Sequence, residues 1–396
     1  MRRPVPTRHP GADQATCGAQ RGTAAVTTEQ PSAFHLDRIR NHVANRQFGP
    51  TIECDQAVFT SIRSPMGEGY RVIARSPGVT RTEAAEITTR APSHGGLCLE
   101  TDDAFGFLAL PLESGRYCIL YARHAGTEHT ARGGHRVHTL AVLLTAEQFD
   151  RFSGNAVRML AAVAKGSPAP LIEDRATLEP LHVSIPVGAS PFLERPEFAA
   201  LITAVISKLL AGDACIIRGA HRPLTLLETA IELTPHSTRS KMSVLAGITY
   251  APNRGITLSL VEGDERVIAR SIQGHGVTWL GWDDPLDLDD HPARAWLTLV
   301  NDRISQSRVR TLLDFVRRTE PGATVVDFNR LARIIRDIET ANAADLDPQT
   351  RQTLHDRYLA YPPKGSLEND LCKRIIEWTT PPPLEPSRNA ANTSGS

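Results

Sequence analysis

The sequence predicts an α+β protein with two mixed sheet-and-helix units followed by a helical C-terminal region. Three observations carry this. Apolar residues alternate with a period of two in segments such as Tyr70 to Ser76, the pattern of half-buried strands. Stretches with apolar residues at helical intervals, such as Glu197 to Ala211, lie between such strands. From Pro292 onward only the helical interval remains.

Residues 1 to about 50 lack apolar periodicity and are expected to be a disordered extension, with one short helix near Phe34 to Val43. The first unit is expected over 52–165. Ala57 to Ile62 reads as a strand and leads through a turn at Met66 to Gly69 into the strand Tyr70 to Ser76. Thr80 to Arg90 reads as a helix, with Thr80 and Glu83 spaced as a capping box. Phe105 to Leu110 and Arg116 to Ala122 form a hairpin through Glu113-Ser114-Gly115. Val137 to Leu144 is a further strand, and Ala146 to Val163 a helix.

Proline and glycine at 166, 168, 170, 186, 188, 191 and 196 mark a connection to the second unit, expected over 178–284. Leu181 to Val187 opens it as a strand. The helix Glu197 to Ala211 stops at Gly212, Cys215 to Ile217 is a buried strand, and Leu224 to Leu233 is a second helix. Met242 to Tyr250, Ile256 to Glu262 and Arg266 to Ser271 read as three strands. Helices then fill 290–380, with caps expected at Asp290, Asp327 and Ser366, before a polar, proline-rich tail over 381–396. Arg71-Val72-Ile73-Ala74-Arg75-Ser76 recurs letter for letter at 266–271, and the period-two pattern makes both copies strands.

Composition excludes several classes. A length of 396 residues exceeds one ordinary domain, and 41% hydrophobic residues are enough for sizeable cores. A net charge of +0 gives no strong nucleic-acid signal. The six cysteines contain no Cys-x-x-Cys pair, so neither a zinc knuckle nor a disulfide framework is expected. The most apolar window, Phe198 to Ile217, contains Lys208, Gly212 and Asp213, so no membrane span is expected, and the scattered cysteines are read as reduced thiols in a cytoplasm. No Walker A or dinucleotide fingerprint is present, so no cofactor is assigned.

Three segments rich in Gly, Ser, Arg and His interrupt the apolar runs of the first unit: Ser64 to Tyr70, Pro92 to Cys98, and Arg132 to His138. Loops of this kind carry binding and reactive side chains on a packed scaffold. Arg132, Gly133, Gly134, Arg136 and His138 are the binding candidates, because glycines admit a ligand to the backbone and arginines grip anions bidentately. Cys98, with His94 or His138, is the candidate nucleophilic set of a hydrolase or transferase. His124, His129, His135 and His138 cluster in sequence, but their spacing matches no standard zinc site, so no metal is assigned. The aspartates 283, 284, 287, 289 and 290 lack the glycine and glutamate of a calcium loop.

Several of these residues resemble the N-terminal module of bacterial GTPase-associated proteins. They are Gln56-Ala57-Val58-Phe59-Thr60-Ser61, Gly67-x-Gly69-Tyr70, Ala74-x-Ser76-Pro77-Gly78, Pro92-Ser93-His94, and Arg132-Gly133-Gly134 followed by Arg136-Val137-His138-Thr139-Leu140. Leu233-Thr234-Pro235, Arg239 and Met242-Ser243-Val244 extend the likeness, so that it spans roughly Asp55 to Leu260. Two departures stand out: Thr234 interrupts the family's Leu-Pro, and Val244 replaces its Phe. The resemblance implies a component of a prokaryotic conflict or signalling system. Its role would be that of a non-enzymatic adaptor or regulator whose partner is a protein, a GTPase or another member of the system.

Overall fold

The computed structural model describes residues 34–64, 67–128, 133–166, 177–188, 195–218, 223–262, 265–281, 284 and 286–380. The described chain opens with helix α1 (Leu36–Ala44), followed by strands β1 (Gln47–Ser64) and β2 (Gly67–Arg75), helix α2 (Arg81–Arg90), and strands β3 (Phe105–Pro111), β4 (Tyr117–Thr127) and β5 (His135–Leu144). Helices α3 (Ala146–Asp150) and α4 (Ala156–Gly166) lead to β6 (Leu181–Val187). Next come α5 (Ala199–Ala211), β7 (Cys215–Arg218), α6 (Pro223–Glu232), α7 (His236–Arg239), β8 (Val244–Ala246), β9 (Leu258–Val261), α8 (Glu265–Ile272) and β10 (Thr278–Leu280). The last five elements are α9 (Arg294–Ser305), α10 (Val309–Arg317), α11 (Val325–Ala341), α12 (Pro348–Leu359) and α13 (Gly365–Thr379).

The ten strands form one mixed sheet in the order β10-β7-β9-β8-β3-β4-β5-β1-β2, with β6 paired to the first part of β1. Strands β10, β7, β9 and β8 pair in parallel with one another, whereas the pairs from β8 through β3 to β2 are antiparallel. Antiparallel pairing of Phe107, Leu108 and Ala109 with Ala246, Leu245 and Val244 joins the strands of the two units. β6 was expected to open the second unit; instead it pairs with β1 from Gln47 to Cys54.

Both faces of the central strands are buried, as the nearly continuous apolar runs of β3 to β5 require. One face carries Phe105, Phe107, Ile119, Leu140 and Val142 against α4, α5, α6 and the C-terminal helices. The other carries Leu108, Leu110, Leu120, Ala141 and Leu143 against Ile87 of α2 and Tyr250.

Several local expectations are met for the reasons that motivated them. Thr80 and Glu83 form the capping box of α2, Gly115 turns the β3–β4 hairpin with φ +80°, and Gly212 ends α5 in the left-handed conformation. Others differ. Ordered structure starts before Ile52, because Phe34 is fully buried edge-on to Phe105 and anchors α1 to the core. The helix expected over Ala146 to Val163 breaks at Ser153 and Gly154, whose φ values are +59° and +60°. Asp327 is the third residue of a capping box led by Thr324 rather than the cap itself. Ser366 lies inside α13, and α9 starts after Ala293 rather than after Asp290. The strand expected at Arg266 to Ser271 is helix α8.

Among the described residues no helix is long and apolar enough to cross a membrane.

Candidate functional site

The first and third polar loops of the first unit meet at a buried carboxylate, Glu128. Glu128 directly follows β4 and is 6% exposed. Its Oε1 accepts from the Ser61 hydroxyl at 2.6 Å, and its Oε2 accepts from the Tyr70 hydroxyl at 2.5 Å. The Tyr70 oxygen in turn accepts from the Val137 amide at 3.0 Å. Burial, with the adjacent Glu128 carboxylate, pushes the Tyr70 hydroxyl well above its ordinary value, so it stays a proton donor. These bonds tie β1, β2, β4 and β5 together at one point. The Glu128 amide donates to the Gly134 carbonyl at 3.0 Å, which closes the stem of the third loop.

Arg132 and His129 lie outside the described residues, as do Pro65 and Met66 of the first loop. Gly133 and Gly134 follow with φ +67° and +81°, left-handed values that glycine adopts without steric cost. A Cβ on Gly134 would sit 3.2 Å from Cε1 of His94, so the second loop leans directly on this turn. Arg136 is buried and donates its Nε to the Ala125 carbonyl at 3.0 Å. His138 pairs across the strands with Thr60 and Arg123 and is also buried.

The candidate nucleophilic residues come from one loop, His94 and Cys98, and from β5, His138. The loop of Pro92 to Cys98 bridges the two halves of the sheet: Cys98 N donates to Gly247 O at 3.0 Å, and Thr249 N donates to Gly96 O at 2.9 Å. Leu97, beside Cys98, packs in the core on the α2 side. By the period-two alternation of β5, His138 shares the opposite face with Leu140 and Val142. Burial foremost pushes the Cys98 thiol up to about 11, and Glu262 is the other group acting on it. A thiol in that state is a poor nucleophile at neutral pH. Iodoacetamide is therefore expected to leave Cys98 unmodified at about pH 8 and to label it only as the pH approaches that value. Peptide mapping across a pH series checks this, and fast labelling near neutrality would count against it.

Two of the four histidines that cluster in sequence come together. The rings of His124 and His135 stack with centroids 4.6 Å apart and an interplanar angle of 14°. A metal ion must lie in the plane of each imidazole that binds it, and two nearly parallel planes share no such point at bonding distance. Among the described residues no group of three or more His, Cys, Asp or Glu side chains is arranged to hold a metal. The acidic loop before α9 is used locally: Asp284 accepts from Gly281 N, Asp287 accepts from Asp289 N, and Asp289 pairs with Arg294. Asp283 lies outside the described residues.

The Ser76-Pro77-Gly78 segment has a structural task. The Ser76 hydroxyl donates to Asp55 Oδ1 at 2.7 Å, and Arg116 Nη2 reaches Asp55 Oδ2 at 2.7 Å. Gly78 lies so close that a Cβ there would fall 2.3 Å from the Asp55 carboxylate oxygens. Asp55 and Arg116 also line a cavity of about 330 Å³ with Glu53, Cys54, Thr145, Gln148 and Pro180. Neither Glu128 nor Asp55 carried a sequence signal, because their partners come from strands far apart in the chain.

Residues 53–182 match the family model described as GTPase-associated protein 1, N-terminal domain type 2. The match runs from β1 into β6 and contains all three loops, and it stops before the strands β7 to β10 and the helices α9 to α13. No curated protein matches the chain.

Proposed function

We propose, from a chain whose residues 53–182 carry a GTPase-associated protein 1 N-terminal domain of type 2, that it is a non-enzymatic adaptor or regulator. It docks on a GTPase or on another protein of the same bacterial conflict or signalling system. The family match is the observation that carries this reading. The docking element is the loop that precedes β5, with Arg132, Gly133 and Gly134 as its binding residues, while Arg136 and His138 are buried in β5 beneath it. The stem at Glu128 and Gly134 supports this, since a loop held at its base costs less entropy to order on binding. The high-lying Cys98 thiol supports a docking role over a thiol-based hydrolase or transferase.

Affinity capture from the native host, followed by direct binding of the purified partner, tests the reading. A GTPase or a protein of the same system is expected among the specific captures. Repeated captures without one, together with turnover of a substrate by the purified chain, would refute it. Arg132→Ala is expected to weaken that binding by about 1–3 kcal/mol, the usual loss when a charge-assisted contact is removed. Its thermal midpoint should stay close to wild type, because surface substitutions away from packed features change stability little. Unchanged affinity in this variant would remove Arg132 from the interface.

A further inference from the structure

Residues 100–103, which lead into β3, are held by three histidines from distant parts of the chain. His35, at the entry to α1, reaches Asp103 Oδ2 through its Nδ1 at 2.5 Å. His135, at the start of β5, places its Nδ1 3.2 Å from Asp102 Oδ1. His124, near the end of β4, places its Nδ1 2.6 Å from the Thr101 carbonyl oxygen. A carbonyl only accepts, so that His124 nitrogen carries the proton. The stacking of His124 on His135 closes the clasp. His135 directly follows the Gly133-Gly134 turn, so the clasp ties the turn to residues 100–103.

We propose that the stacked His124–His135 pair is a proton-operated latch, which holds the Gly133-Gly134 turn while the pair carries at most one proton and releases it when both rings are charged. Its use in regulation rests on the docking reading above, but its mechanics do not.

The groups facing the pair set the order of events. His135 is partly exposed, and a positive charge on its ring faces the Asp102 carboxylate. Neutral His124 stacks on that ring without penalty. A second proton places two like charges on rings 4.6 Å apart, one of them on a side chain only 7% exposed. Burial foremost, and then His135, hold His124 below its ordinary value of 6.5, although Thr101, Glu100 and Asp102 pull it upward. Once the turn has left, the His124 ring meets water and loses the burial that disfavours its charge. The open form therefore binds more protons, and the closed form loses stability as the pH falls below 6.5. A charge on the His135 ring attracts the Asp102 carboxylate, so a single charge on the pair does not release the turn.

Amide hydrogen exchange of the full chain, expressed as protection factors so that intrinsic pH effects cancel, tests the latch. Between about pH 7.5 and about pH 5, protection of residues 133–137 and 100–103 is expected to fall by about tenfold or more, while the β3–β4 core stays protected. In His124→Asn the side-chain amide still donates to the Thr101 carbonyl but does not titrate, so the pH response should vanish. His135→Gln removes the other charge and should abolish it as well. Unchanged protection in the wild type, or an equal fall in a folded variant, would overturn the proposal. The measurement uses no partner, so its failure removes the latch alone, whereas failed capture removes the docking reading alone.

Discussion

Replacing Glu228 by Gln is expected to lower the unfolding free energy by about 3–5 kcal/mol, the range for breaking one side of a buried ion pair. Glu228 sits on α6, fully buried, and meets the Arg46 guanidinium in a direct ion pair. His42 Nε2 lies 3.3 Å away, and the Glu228 carbonyl accepts from the buried Asn155 side chain at 3.0 Å. Burial pushes the Glu228 carboxyl up, and hydrogen bonds and charge from His42 and Arg46 more than offset it, so the group is held below its ordinary value of 4.5. A carboxyl with a lowered value contributes stability that is present above 4.5 and lost as the pH falls through its folded value. Glutamine keeps the shape but leaves the Arg46 charge, with a side chain only 5% exposed, without its counter-ion.

The surroundings make the loss worse. Arg239 is buried and bonds only to the main-chain carbonyls of Ser153, Glu232 and Thr234. Burial, then repulsion from Arg158 and Arg317 against the pull of Glu232, draws it down to about 10. Glu228 also pulls on the buried Arg158 guanidinium, so its removal raises the cost of that cation. Urea unfolding near neutral pH measures the loss, and repeating it at acid pH should narrow the gap between wild type and variant. A loss below about 1 kcal/mol would show that water, not Glu228, compensates Arg46.

Trp296→Ala is the second large expected effect, about 3–5 kcal/mol, as for truncation of a buried aromatic residue. Trp296 opens the helical region on α9 and is fully buried. Its ring meets Phe328 of α11 edge-on with centroids 4.7 Å apart, and its indole nitrogen donates to the Leu233 carbonyl at 3.0 Å. One side chain thus packs within the helical region and binds it to the end of α6. Alanine leaves a cavity and a buried carbonyl without its donor, and both terms are unfavourable. Equilibrium unfolding of the variant measures the sum. Hydrogen exchange then tells whether α9 to α13 loosen ahead of the sheet, as the position of the contact predicts. Equal protection throughout would mean that the helical region does not depend on this anchor.

Local signals in the sequence survived where their partners lie close along the chain. The capping box of Thr80 and Glu83 is complete within one helical turn, and Gly212 ends α5 by its own conformational freedom. The β3–β4 hairpin needs only its alternation and Gly115. The candidate site was legible as three loops but not as a bonded unit. Tyr70 reads as one more strand aromatic until Glu128, 58 residues later, accepts its hydroxyl proton. Glu128 reads as a solvated loop acid until the strands that surround it are assembled. The same holds for Phe34, which lies in a polar stretch and becomes core only because Phe105 and Gly247 leave a place for it.

The repeated hexapeptide separates the two kinds of information most clearly. Its letters determined an apolar trio, Val-Ile-Ala, between arginines, able to bury part of itself in either conformation. At Arg71 to Ser76 the neighbouring β1 offers a backbone ladder: Val72 pairs with Phe59, Ala74 pairs with Val58, and Ile73 is left in a bulge. At Arg266 to Ser271 no such ladder is on offer. The chain must return from β9 to start β10 parallel to β7, and a parallel neighbour is reached only by a crossover. A helix makes that crossing: Ile268 and Ile272, four residues apart, pack on the α2-side core, and Val267 is left 62% exposed. The sequence by itself determined the fold class, the helical C-terminal region and the turns. Which backbone groups found a ladder, and therefore which copy became strand and which helix, was decided by the strands that flank each copy, because backbone hydrogen bonds must be satisfied wherever the chain is buried.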